Sequence, residues 1–412
     1  MERILFVSNT LGRAGAEKAL LELLRRLDSR EYQVSLYVLL GQGELADDLP
    51  DHVRLRNRRF NSRSVLTGAG RLVLAGSVLR AFLRNGGLPG KLASLVRALA
   101  SSRGRVQPDK LLWRVVSDGA ERFDETFDLA VAWLEGGSAY YVADHVRARK
   151  KAAFLHVDYK SAGYTPAMDR DCWSRFDRIF TVSASVREGF LAVYPEHGQK
   201  TAVLPNLLDQ AAIRRRSAEP GGFSDGWDGP RLLTVGRLTC QKGYDVAIAA
   251  MKRLRDAGYR ARWYALGEGD RRRELERQLA ELGLEEDFLL LGAVENPYPY
   301  FVQADIYVHA TRFEGRSIAL QEAQTLGCPV VASDCGGNRE QVEDGTDGLL
   351  CPLTPQAVAE RIAELLRDPE RRPWARRRPR RRRLRGGSWS CSWSFWGMRH
   401  EEKRPSHHYA GV

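Results

Sequence analysis

The stretch ADIYVHATRFEGRSIALQEAQTLGCPVVAS, residues 304–333, reads as strand, loop, helix and strand. ADIYVHA (304–310) and CPVVAS (328–333) are short continuous apolar runs, the pattern of strands buried on both faces. Between them the helix expected over 317–327 begins just after Gly315. A strand that feeds a helix and returns as a parallel neighbour is the unit of an open α/β sheet. In such sheets ligands bind beyond the carboxyl ends of the strands. The loop in this stretch carries Glu314 and the helix carries Glu322, so one carboxylate stands before the first turn and one inside it.

The same rhythm runs through the chain. In the first half, strands are expected at 3–9, 32–40, 127–134, 150–157, 178–184 and 201–206, with a helix at 16–28. SAEPGGFSDGWDGP (217–230), rich in Gly, Pro, Ser and Asp, reads as a linker. After it strands recur at 231–238, 261–269 and 288–294, with helices at 243–257, 271–283, 338–343 and 355–367. The class is therefore α/β, with two Rossmann-like doubly wound domains facing a cleft. The expected bounds are 1–208 for the first domain and 209–370 for the second, followed by a tail over 371–412.

The 412 residues, 43% hydrophobic and 9% aromatic, have the composition of a soluble globular protein. Cysteines at 172, 240, 328, 335, 351 and 391 form no CxxC pair, which argues against a disulfide scaffold or a zinc site and fits a reducing compartment. MERILFVSNT at the start reads as a strand rather than a secretory segment, and no run of 18 apolar residues suggests a spanning helix. The expected location is cytoplasmic, peripheral at the inner face of the plasma membrane.

Charge is unevenly placed. From Arg371 to Val412 there are 13 Lys and Arg against 2 Asp and Glu, so the tail supplies +11 of the net +12. The body is nearly neutral and has no electrostatic footprint for nucleic acid. The tail's like charges repel, so it is expected to be disordered, and its abrupt composition reads as an end out of register with its ancestry. Between Asp51 and Asp109, twelve Lys or Arg occur with no acidic residue. That segment, 52–108, reads either as helices with a solvated basic face or as a patch drawn to anionic lipid.

The chemistry follows from the opening stretch. The first amides of the helix point at the strand ends, where they and the helix dipole favour an anion such as a diphosphate. Two carboxylates beside an anion serve instead as acceptors for hydroxyl groups on either side of it. VGRLTCQKGYD (235–245) supplies Arg237 and Lys242 as cations for phosphate, with Gly236 and Gly243 allowing close backbone approach. No cluster of Asp, Glu or His stands at metal-ligand spacing, so no metal is expected.

Taken together, VGRLTCQKGYD, LGEGDRRRELERQLAELGL and the run FLLLGAVENPYPYFVQADIYVHATRFEGRSIALQEAQTLGCPVVASDCGGNREQVEDGTDGLL resemble the family 4 retaining glycosyltransferases, which have the GT-B fold. Glu314 and Glu322 match the family's E-x7-E signature. The resemblance implies that Glu322 binds the ribose of a nucleotide-diphosphate sugar and that Glu314 contacts the donor sugar near the reacting centre. It also implies that Arg237 and Lys242 hold the diphosphate, and that backbone at Arg316, Ser317 and Ile318 completes the phosphate cradle. NTLGRAGAEKAL (9–20) looks like the family's Gly-Gly-Ala-Glu loop, although Ala14 replaces the first glycine and Gly12 and Gly15 remain. AWLEGGSAYYVAD (132–144) and FLHVDYK (154–160) are similar to a capsule and lipopolysaccharide subgroup, which implies an active-site role for His156. The implied activity is transfer of a sugar, with retention, to a glycan or lipid-linked acceptor, with no cofactor beyond the nucleotide-sugar co-substrate. The alternatives are a nucleotide-sugar epimerase or phosphorylase of the same fold, or an inactive relative. The last arises because the family's C-terminal bracing helix falls where this sequence has its Arg-rich tail.

Overall fold

Seven parallel strands make the first sheet: β1 (Glu2–Ser8), β2 (Tyr32–Val38), β3 (Val53–Leu55), β4 (Phe127–Ala132), β5 (Ala148–Leu155), β6 (Arg178–Thr181) and β7 (Thr201–Val203). Their order is β3-β2-β1-β4-β5-β6-β7. Six more form the second: β8 (Arg231–Val235), β9 (Arg262–Leu266), β10 (Phe288–Gly292), β11 (Ile306–His309), β12 (Val330–Ser333) and β13 (Leu349–Cys351). These are ordered β10-β9-β8-β11-β12-β13. The structure is a computed structural model and describes residues 1–65, 68–84, 96, 110, 112–159 and 161–368. The tail over 371–412 lies outside the described residues, as do 66–67, 85–95 and 97–108 of the basic segment.

Continuous apolar strands are explained by two cores per sheet. In β1, Leu5 and Val7 enter one core while Ile4 and Phe6 enter the other. In the second sheet Leu232 and Trp263 point to one side, and Leu233 and Tyr264 to the other. A parallel sheet covered on both faces needs apolar side chains at every position, so the period-two alternation of a half-exposed sheet disappears. The strand order changes direction between β1 and β4 in one sheet and between β8 and β11 in the other. Those are the switch points where such sheets open a crevice.

Three differences from the sequence reading have local causes. Strands β3 and β13 are each three residues long, too short to stand out as apolar runs. The helix expected at 338–343 shortens to Gly336–Arg339, and the chain then turns. Residues 218–230 carry no helix or strand, while the helix Gln210–Ser217 lies just before them. No helix among the described residues is long and apolar enough to cross a membrane.

Behind β5 a fully buried carboxylate organises the first domain. Asp169 accepts hydrogen bonds from Tyr140 (2.7 Å), Tyr194 (2.6 Å) and Tyr159. Arg114 stacks over Tyr140 at 3.9 Å and donates to the Met168 carbonyl at 2.9 Å. Burial pushes the Asp169 carboxyl up to about 6, against the pull of Tyr194 and Tyr140. Removing the acceptor would strand the tyrosine hydroxyls in a dry interior. Asp169→Ala is therefore expected to cost about 3 kcal/mol or more in urea unfolding; a loss below about 1 kcal/mol would mean that the network relaxes without it.

Candidate active site

At the second switch point, β8 leads into a tight loop closed by Gly243. This residue has φ +58°, and a Cβ on it would lie 2.2 Å from the Ala310 carbonyl, so glycine is required. The loop turns Lys242 back across Gly236 and onto Glu314, with Nζ to Oε2 at 2.5 Å. On its other side Glu314 Oε2 lies 3.4 Å from His309 Nε2, and His309 Nδ1 meets the Tyr307 hydroxyl at 3.0 Å. Only 12% of the Glu314 side chain is exposed. Burial alone would raise its pKa, but Lys242 and then His309 outweigh that and hold it down at about 2. Burial also lowers the His309 pKa, which favours a neutral imidazole beside the ionised carboxylate. Lys242 is thus paired with Glu314.

The helix Ile318–Leu326 starts from Ser317, whose hydroxyl accepts from the Leu320 amide at 3.3 Å. The Ser317 amide is itself engaged: it donates to Gln341 Oε1 at 2.7 Å, and Gln341 Nε2 returns a bond to the Ser317 carbonyl at 2.9 Å. Of the backbone cradle inferred at Arg316, Ser317 and Ile318, the middle amide therefore has a side-chain partner. Ile318 packs on Gly15 of the first domain, where an added Cβ would come within 3.1 Å. Glu322, 2% exposed, accepts from the Tyr298 hydroxyl at 3.1 Å. Lys18 reaches it from the first domain at 3.5 Å.

The first switch point faces this one. Asn9, after β1, donates to the Glu135 carbonyl at 3.2 Å and accepts from the Ser138 amide at 2.7 Å, tying the ends of β1 and β4 together. Glu135, directly after β4, receives the His156 amide at 2.9 Å. Glu17 accepts from Thr10 at 3.1 Å. Burial raises the carboxyls of both Glu17 and Glu135, and Arg237 of the second domain opposes the rise at Glu17. Arg237 is exposed, and its charge acts on Glu17 of the first domain.

His156 is 9% exposed, and neither ring nitrogen has a hydrogen-bond partner. Its ring sits 5.1 Å from Trp133 and 6.2 Å from Phe154. Burial depresses its pKa to about 4, with Asn206 opposing the shift. The His156 carbonyl marks where the two domains touch, because a Cβ on Gly315 would lie 2.1 Å from it. Direct contacts thus join Glu314 to Lys242, Ile318 to Gly15 and Gly315 to His156, and Lys242 passes beside Gly236. Glu322 and Arg237 interact with charges of the first domain, and Arg316 and Ser317 lie between Gly315 and Ile318 in the chain. Sequence reasoning missed Glu17, Glu135, Lys18, Tyr298 and His309. Glu17 and Glu135 lay inside quoted segments at strand ends, the signal that could have found them. His309 reads as a strand residue, and only its packing reveals its partner.

The depressed Glu314 pKa has a sign that can be tested. Its folded value, about 2, lies below the ordinary carboxylate value of 4.5, so the pair stabilises the fold above pH 4.5 and that contribution is lost as pH falls toward 2. Glu314→Gln is expected to flatten the acid dependence of unfolding free energy, by about 2 kcal/mol between roughly pH 6 and roughly pH 3. Parallel acid titrations of the two proteins would assign the pair no such weight.

Residues 229–368 match the family model described as Glycosyl transferases group 1. The chain is 31% identical over 202 residues to the N-acetylgalactosamine-N,N'-diacetylbacillosaminyl-diphospho-undecaprenol 4-alpha-N-acetylgalactosaminyltransferase of Campylobacter jejuni, covering 48% of this chain and 53% of that one. It is 32% identical over 167 residues to the amylovoran biosynthesis glycosyltransferase of Erwinia amylovora, covering 37% and 40%. The chain thus spans about half the length, or less, of these curated relatives. Among solved structures it is similar to Anabaena HepE in complex with UDP and glucose, at TM-score 0.64 and 17% identity, covering 92% of this chain and 93% of that one. The two facing sheets are accordingly the GT-B fold. Within residues 229–368, the chain is thus similar in sequence to the glycosyl transferases group 1 family.

Proposed function

We propose that this protein is a retaining glycosyltransferase. It would move a sugar from a nucleoside-diphosphate sugar to a glycan or lipid-linked acceptor in cell-surface polysaccharide assembly. The observation that carries the reading is Glu322: a carboxylate 2% exposed, midway along the helix Ile318–Leu326, with a tyrosine hydroxyl on one side and the cleft lysine on the other. A buried anion at that position suits a ribose diol, which would take the place of Lys18 as its donor. The Campylobacter relative is named for a diphospho-undecaprenol-linked acceptor and the Erwinia one for amylovoran biosynthesis, and HepE holds UDP and glucose. UDP is therefore the first nucleotide to test.

In this reading the helix N-terminus and Arg237 receive the diphosphate. Their role is to stabilise the charge that develops on the leaving phosphate. Glu314 faces the donor sugar as a fixed acceptor, since Lys242 and His309 hold its carboxylate in place. The neutral His156 ring, with both nitrogens unpartnered, offers a hydrogen bond to the sugar from the opposite wall. The donor's own phosphate oxygen would take the acceptor proton, so no further cofactor or metal enters the scheme.

The acceptor class also bears on location. A lipid-linked acceptor requires the enzyme at the cytoplasmic face of the membrane. The helix Gly68–Leu83 exposes Leu72, Leu79 and Leu83 within the basic segment 52–108, a combination suited to an anionic surface.

Glu322→Ala is expected to weaken UDP binding by about 10- to 100-fold in calorimetry, the loss of about 1.5–3 kcal/mol of charge-assisted hydrogen bonds. Unchanged affinity would remove the ribose from this site. Liposome flotation is expected to recover the protein with anionic vesicles and not with neutral ones; indifference to lipid charge would leave the basic segment a solvated face.

A further inference from the structure

The helix Ala184–Leu191 of the first domain is capped from two sources. Its own Ser183 hydroxyl accepts from the Val186 amide at 3.2 Å. The preceding two amides bond across the cleft instead: Ala184 donates to Glu340 Oε2 at 2.9 Å and Ser185 to Glu340 Oε1 at 2.6 Å. A carboxylate of the second domain thus completes a helix terminus of the first, where the first-turn amides and the dipole both favour negative charge.

The turn that carries Glu340 is also wedged against the candidate site. A Cβ on Gly336 would lie 2.9 Å from Ser185 Cβ, and one on Gly337 would lie 2.4 Å from the Glu314 carbonyl. Asn338 donates to the Ser333 carbonyl at 2.8 Å, which pins the turn to the end of β12. Gln341 holds both backbone groups of Ser317. Beyond it, the Gly315 position abuts the His156 carbonyl at 2.1 Å and Val186 Cγ2 at 3.1 Å. The six residues 336–341 therefore touch both the capped helix and the Glu314 loop, and Gly315 of that loop in turn abuts His156.

We propose that Glu340 is a positioning residue for the transfer reaction. By capping the helix Ala184–Leu191 from the opposite domain, it holds the cleft closed with the Glu314 loop seated on His156. Glu340 need not touch either substrate. Its removal leaves the helix start uncapped on one side of the cleft and an unpaired carboxylate's worth of attraction missing on the other, so the domains separate more readily. Nucleotide contacts within the second domain stay intact. The turnover arm rests on the glycosyltransferase reading above; the shape arm does not.

The test uses the full chain with Glu340→Ala, Glu340→Gln and Gly336→Ala, the last forcing the same contact apart while leaving the carboxylate in place. Small-angle scattering is expected to show a larger radius of gyration for Glu340→Ala and Gly336→Ala than for the unsubstituted protein. Glu340→Gln, which keeps one accepting oxygen, is expected to lie between. Against UDP and a UDP-sugar, Glu340→Ala is expected to hold its UDP affinity within about twofold while kcat falls about tenfold or more, the scale of a misplaced catalytic group. Unchanged dimensions in both Glu340→Ala and Gly336→Ala overturn the latch whatever the substrate is. Expanded dimensions with unchanged kcat overturn the positioning role. Should the unsubstituted protein show no transfer at all, the scattering comparison still decides the latch.

Discussion

A carboxylate nearly removed from water must find a cation or give up its charge, and Glu314 keeps its charge. Lys242 at 2.5 Å and His309 at 3.4 Å offset the cost of burying it. Much of the local architecture serves that pairing. Gly243 makes the turn that brings Lys242 back over β8, and Tyr307 orients the His309 ring from the far side. The loop that carries Glu314 is then firm enough for its next residue, Gly315, to press against the backbone of the other domain.

The two walls of the cleft differ electrostatically. On the second domain the acidic group is ionised, its pKa driven down by a paired cation. On the first, Glu17 and Glu135 are buried with amide and hydroxyl partners and are driven up. His156 is driven down by the same loss of water. Environments that push titratable groups in opposite directions are typical of sites where charge develops during a reaction. Lys18 and Arg237 each project from one domain toward an acidic group of the other, so cations cross the cleft both ways.

Among the described residues, glycines allow three close approaches between the domains: Gly15 against Ile318, Gly315 against His156 and Gly336 against Ser185. Polar bonds then set the register, with Glu340 on two helix amides and Lys18 on Glu322. Domains of one chain commonly retain some relative motion. That suits a cleft that must admit and release ligands.

The alternation of apolar runs and helices, the glycine-bounded loops after β1 and β8, and the two glutamates eight residues apart were legible without coordinates. Each depends on spacing along the chain, which a parallel sheet converts directly into position at a strand end. Which partner each charged group takes was not legible. Lys242 reads as a phosphate ligand and in the fold is bonded to Glu314; His309 reads as a strand residue and in the fold flanks the same carboxylate. Glu340 reads as one acidic residue in a turn and in the fold caps a helix 155 and 156 residues away. Local pattern determines which elements form, because the hydrogen bonds and burial that favour them lie within a few neighbouring residues. Pairing across a cleft is decided only when both domains are folded and set against each other, because no periodicity in a chain records which distant side chain will meet a buried charge.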